Sequence, residues 1–258
     1  MRRACVSTAL HRFGATIVVA IGLVGAFGGL VIDRAEQAQA TSNATVAVSV
    51  ERLAADADVV IEAAAEAMSE VTSVRFAVTR SGAPVYIDPV ESLALDRVTG
   101  RFRAPSDADA LVTVTVGGEL TTELGAVALG SEIWLSNPIT GVFEPLPPSY
   151  NIDPSKFFDP TGGWQPLLVG LTERTLVADE GDQYHVRGTA PAVDLRRVTA
   201  GLVRAEGIVI DLWIDSTAAL VDRIEFSVED RHGVSDWALE LSDYGQPFDI
   251  ALPVEEDG

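Results

Sequence analysis

The chain has 258 residues, 47% of them hydrophobic, with 38 acidic against 18 basic side chains and a formal net charge of -20. Residues 1–40 hold four arginines against Asp33 and Glu36, so removing their net +2 from -20 leaves -22 on the remainder. A surface of that sign repels phosphate, which excludes DNA and RNA as partners and disfavours anionic lipid head groups. At the N-terminus, Arg2, Arg3 and Arg12 precede an apolar run from Ala15 to Ile32, and Ala38-Gln39-Ala40 follows. Basic, apolar and small-residue regions in that order read as a secretion signal over residues 1–40. The apolar run is also close to the roughly 20 residues that cross a bilayer, so an uncleaved anchor is the alternative. The single cysteine, Cys5, lies before that run, whereas the acylated cysteine of a bacterial lipoprotein comes just after it.

Residues 41–50 are uncharged and read as a spacer. From Val50 to Met68 apolar residues recur three and four apart (Leu53, Ala57, Val60, Ile61, Ala64, Met68), which predicts an amphipathic helix. The period then changes to two. Val74, Phe76 and Val78 share one face of a strand, with Arg75 and Thr79 on the other, and Val112, Val114 and Val116 repeat the pattern. "VALGSEIWL" reads as a hairpin through Gly130. The stretch 150–168, "YNIDPSKFFDPTGGWQPLL", combines three prolines, a Gly-Gly pair and four aromatics without a run of charge. It predicts a proline-broken helical insertion. Strands resume with "QYHVRGTA", "GIVIDLWID", "DRIEFSVED" and "DWALELSDYG", with a short helix at "PAVDLRRVTAGL" after the first. Consecutive strands with short turns predict an antiparallel sheet and an α+β fold, as one domain over residues 51–252 followed by an acidic tail, 253–258.

No catalytic signature stands out. There is neither a G-x-S-x-G elbow nor a phosphate-binding G-x-x-x-x-G-K loop. Beyond the signal only His185 and His232 occur, one on a strand and one in a turn, and both read as structural or solvent-facing. Asp107 with Asp109, Asp153 with Asp159, and Glu229 with Asp230 read as solvated faces and caps. A calcium loop starting at Asp153 would put Phe158 at the turn glycine and Trp164 at the bidentate glutamate. The expectation is a non-enzyme that needs no cofactor and no metal.

Four stretches in order, "AAAEAMSEVTSVRFAV", "ALVTVTVGGEL" into "GSEIWLS", the 150–168 segment, and "IDLWIDSTAALVDRIEFSV" with "ALELSDYGQPFDI", resemble the LppX/LprA/LprF/LprG family of actinobacterial lipid-carrying lipoproteins. Within the central segment the resemblance lies in Tyr150, Asn151, Asp159, Pro160, Gly163, Leu167 and Leu168, and near the end in Leu241 to Gly245. It implies a strongly curved antiparallel half-barrel, similar to periplasmic lipoprotein carriers, whose concave side is covered by helices over a hydrophobic cavity for acylated lipids or glycolipids. The chain departs from the family in lacking the acylated cysteine.

On that reading the strand residues of the cavity are Val74, Phe76 and Val78; Val112, Val114 and Val116; Ile208, Ile210 and Leu212; and Ile224, Phe226 and Val228. Phe157, Phe158, Leu167 and Leu168 would close it from the helical side. Alternation fixes each set to one face without saying which face is concave. The expected partner is an acylated lipid or glycolipid, with a membrane transporter as a further candidate and the protein itself a monomer in the cell envelope or secreted. The rival is a structural or adhesion module of the envelope whose core is filled by its own side chains.

Overall fold

The computed structural model describes residues 56–88, 90–146, 163–199 and 201–252, all in one compact unit. Helix α1 (Ala57–Ser69) starts where the Asp56 side chain accepts the Asp58 N–H at 3.1 Å, satisfying one of the free donors of a first turn. Its Val60, Ile61, Ala64 and Met68 are buried, the predicted stripe. Strands β1 (Ser73–Gly82), β2 (Leu93–Arg103), β3 (Asp107–Val116), β4 (Leu120–Leu129), β5 (Glu132–Ser136) and β6 (Phe143–Pro145) follow. Helix α2 (Trp164–Gly170), β7 (Thr172–Asp179), β8 (Gln183–Ala190), α3 (Ala192–Val198), β9 (Ile208–Asp215), β10 (Val221–Asp230) and β11 (Gly233–Ser242) complete the described chain.

The strands form one sheet in the order β6-β5-β4-β3-β2-β1-β11-β10-β9-β8-β7, and every neighbouring pair is antiparallel. The chain therefore starts in the middle, meanders to one edge at β6, re-enters at the far edge with β7, and meanders back until β11 pairs with β1. The connection between Pro145 and Thr172 has to get from one edge of the sheet to the other, and α2 is its final part. The C-terminal segment locks the seam: Ser73 Oγ donates to Gln246 O at 2.6 Å, and Tyr244 Oη donates to Val221 O at 2.5 Å with Met68 Sδ beside it.

One face of the sheet carries the core. Along β9 the residues alternate buried and less buried, with Ile208, Ile210, Leu212 and Ile214 inward and Val209 half exposed. Val74 and Phe76 of β1, Ile224 and Val228 of β10, and Trp237 and Leu239 of β11 join the same buried cluster, together with α1, Trp164, Leu167 and Leu168 of α2, and Leu195 and Val198 of α3. The inner face, left undecided by alternation alone, is thus the face under the helices. The opposite face is polar. There Asp211 takes hydrogen bonds from His185 at 2.7 Å and Arg187 at 2.9 Å, while His185 stacks on Trp213 with centroids 4.5 Å apart.

Three strands escape the sequence pattern: β2, the three-residue edge strand β6, and β7. In β2 the ladder with β3 slips between Leu95 and Arg97, so Asp96 is extra and the alternation breaks. Edge strand β7 is irregular at two places along β8. The domain limits, the 1–40 signal, Phe157 and Phe158 lie outside the described residues or are not fixed by them.

Candidate functional site: an apolar cavity between sheet and helices

Inner-face side chains meet as cross-strand pairs, which set their spacing. Val78 of β1 lies between Val98 of β2 and Leu239 of β11. Phe226 of β10 pairs with both Ile210 and Trp237, its ring stacked on the indole with centroids 5.9 Å apart. Phe76 faces Gly100 in β2, where a Cβ would stand 2.4 Å from its ring, so only glycine lets the ring lie flat on the strand.

These residues, with Leu95 and Ile224, form the floor of a cavity. Its roof is Trp164 and Leu167 of α2, Leu195 and Val198 of α3, and Thr199 and Leu202 just beyond. The wall is almost wholly hydrocarbon. Thr199 turns its hydroxyl back into its own helix, donating to Leu195 O at 2.7 Å and accepting the Val203 N–H at 3.2 Å. The open space is narrow, about 60 Å³. Two wider depressions, about 430 and about 1040 Å³, are lined by charged side chains such as Arg80, Glu91 and Asp96 in one and Arg187, Asp211 and Glu225 in the other. Neither offers a dry wall.

Six of the residues singled out from the sequence stand together at this cavity: Phe76, Val78, Leu167, Ile210, Ile224 and Phe226. Val74, Leu168, Ile208, Leu212 and Val228 are buried in the surrounding core rather than at its wall. Val112, Val114 and Val116 sit on β3, one strand beyond the wall, where Val112 pairs with Val98 and Val114 with Leu95, and Val114 is fully buried. The sequence pattern does not single out Leu95 and Val98, because the alternation of β2 breaks at Asp96 between them. Sequence reasoning also misses Trp237 and Leu239, although their strand is recognisable and their alternation is as regular as that of β9.

The charged groups belong to the outer face and the turns. Burial works against the Asp211 carboxylate, but the hydrogen bonds from Arg187 and His185 outweigh it and hold its pKa below the ordinary value. Burial, with Asp215 and Asp182 nearby, pushes Asp222 up despite a hydrogen bond from Gln183. Burial also pushes the Tyr244 hydroxyl up. Among the described residues no group of three or more metal-ligating side chains comes together, and no helix is long and apolar enough to cross a membrane.

Among the described residues, an open antiparallel sheet of eleven strands carries three helices on its apolar face. The chain belongs to the LppX_LprAFG lipoprotein family, whose model matches residues 56–250. Among solved structures it is similar to LprF from Mycobacterium bovis, with 19% identity over 76% of this chain and 95% of that one and a TM-score of 0.59. It is also similar to the lipoprotein LppX from Mycobacterium tuberculosis, with 16% identity over 76% of this chain and 98% of that one and a TM-score of 0.52. No curated protein sequence matches it.

Proposed function

We propose that this protein binds acylated lipids or glycolipids outside the cytoplasmic membrane, seats their acyl chains between the inner sheet face and the helices, and carries or presents them without chemical change. The observation that carries the reading is the cavity itself, an apolar floor and an apolar roof in a half-barrel of the LppX_LprAFG family. An acyl chain of roughly 16 carbons gains on the order of 10 kcal/mol by leaving water, at about 0.8 kcal/mol per CH₂. A carrier competes with a bilayer only if it replaces nearly all of that with dry wall.

Ligand pockets commonly hold about 300–1,000 Å³, so a cavity of about 60 Å³ has to widen to seat an acyl chain. Loading then requires the roof to lift. The roof helices α2 and α3 have 7 residues each, too short to be stable alone, and are held by packing that a lipid can replace. The same narrowness favours the second reading, a structural module of the envelope with a filled core. Organic extraction of the purified protein followed by mass spectrometry tests between them: stoichiometric acylated lipid supports the carrier, and protein that after delipidation takes up no acylated lipid supports the module.

In this reading residues 1–40 direct export and are cleaved after Ala40 or retained as an anchor, and residues 51–252 are the lipid-binding domain. Val74, Val112, Val114, Val116, Leu168, Ile208, Leu212 and Val228 support or extend the cavity once it opens. Phe157 and Phe158 belong to its cover. The protein works as a monomer, with a membrane transporter as its candidate partner. N-terminal sequencing from the native host tests the first point, with a start at Thr41 expected for a cleaved signal.

A further inference from the structure

One polar atom in the cavity roof has no internal explanation. Trp164 opens α2, is only 4% exposed and lines the cavity, yet its buried indole Nε1 has no hydrogen-bond partner. Among the described residues it is the one buried side-chain nitrogen or oxygen in that condition. The neighbouring donors are satisfied: Trp237 Nε1 reaches Ser235 Oγ at 3.1 Å, and the Thr199 hydroxyl is bonded within its helix. Folded proteins rarely leave a buried N–H unpaired, because it has lost water and gained nothing.

Water is a poor substitute here. A buried water needs two to four polar partners, and the surrounding wall supplies hydrocarbon. The indole N–H is a donor only, so whatever satisfies it must be an acceptor that brings apolar surface with it. A carbonyl at the head of an alkyl chain meets both conditions with a single hydrogen bond. Resting on the lipid-binding reading above, we propose that the Trp164 indole N–H donates to the carbonyl oxygen of the ligand's acyl ester or carboxyl group. The cavity would then prefer acyl chains to plain hydrocarbon of the same length.

Two probes separate this role from simple packing: methyl palmitate, which carries the ester, and hexadecane, which does not. For Trp164→Phe the expected result is about a tenfold loss of affinity for methyl palmitate, the size of one hydrogen bond, with hexadecane changed by no more than about twofold. Equal losses for both probes, or no loss for either, overturn the proposal while leaving the cavity as a lipid site. A second measurement covers failure of that variant to fold. In wild-type protein with ¹⁵N-labelled tryptophan, the Trp164 indole proton moves downfield on addition of methyl palmitate and stays in place with hexadecane. An unmoved resonance in protein that has bound methyl palmitate overturns the proposal. Wild-type protein that binds neither probe overturns the lipid-binding reading itself, and this inference with it.

Discussion

Gly100→Ala is the smallest change that tests how the cavity floor is assembled. A methyl group at residue 100 would stand 2.4 Å from Cζ of Phe76 and 2.3 Å from the carbonyl oxygen of Asp109, against a normal carbon separation of about 3.5–4.0 Å. The Asp109 carbonyl is part of the β3 backbone beside β2, and Phe76 is buried to 4% exposure, so neither can give way by about 1 Å without disturbing its neighbours. Without a clash, replacing glycine by alanine stabilises by about 0.4–1 kcal/mol, because the unfolded chain loses freedom. Overpacking costs about 1–3 kcal/mol, so a net loss of about 1–2 kcal/mol is expected. At roughly 2–4 °C per kcal/mol for a domain of this size, the Tm of lipid-free protein falls by about 2–8 °C. Melting followed by circular dichroism reads this directly. The displaced Phe76 ring moves toward the cavity, so lipid uptake per folded molecule should fall as well. An unchanged or raised Tm would refute the packing of Phe76 on Gly100.

Three further outcomes are expected. Val78→Trp places a large ring beside open space and should reduce lipid uptake with little change in melting, whereas Val114→Trp, behind the wall residue Leu95 and fully buried, should cost about 1–3 kcal/mol; matching behaviour at the two positions would remove the distinction between wall and core. Asp211 has its folded-state pKa lowered, so its stabilisation is present above the unfolded value of about 3.9 and disappears as the pH falls through the lower folded value; Asp211→Asn should melt below wild type at pH 7, with the gap closing toward pH 2. Asp222 has the opposite sign, its raised pKa making the ionised form a cost at neutral pH that is absent below about 3.9. Asp222→Asn, which keeps an oxygen for Gln183, should therefore melt higher than wild type at pH 7 and no higher at pH 3.

The regular parts of the fold are legible where side chains alternate without interruption. β1, β3, and β8 to β11 are set by period-two patterns, and α1 by its apolar stripe, because one face of each is buried and the other is not. β2 is not legible because the extra residue Asp96 shifts the pattern halfway along, and because its inward position opposite Phe76 is a glycine. Edge strand β7 mixes Thr, Glu and Arg with few apolar residues and carries two irregularities, so tertiary pairing rather than pattern defines it.

The site was legible in its strands and not in its extent. Ile210 and Leu212 have the same alternation and the same burial, yet only Ile210 reaches the cavity, because the helices cover the floor unevenly. Which inward residues line a void and which fill a core depends on where the roof rests, and no local pattern encodes that. Trp164 stands within the proline-rich stretch 150–168, but only the three-dimensional arrangement isolates its indole N–H.

The central claim, that an acyl chain lies between the inner sheet face and the helices, is tested most directly by fluorescence quenching with a phospholipid brominated along its acyl chain. Trp237 lines the cavity, whereas Trp213 lies on the outer face, stacked on His185. Variants in which Trp237 or Trp213 is the single tryptophan, the other three of the four being replaced by phenylalanine, would be loaded with the brominated lipid and with its unbrominated counterpart. The account predicts strong bromine-dependent quenching of Trp237 and little of Trp213. Equal quenching of both, or quenching of Trp213 alone, would contradict it.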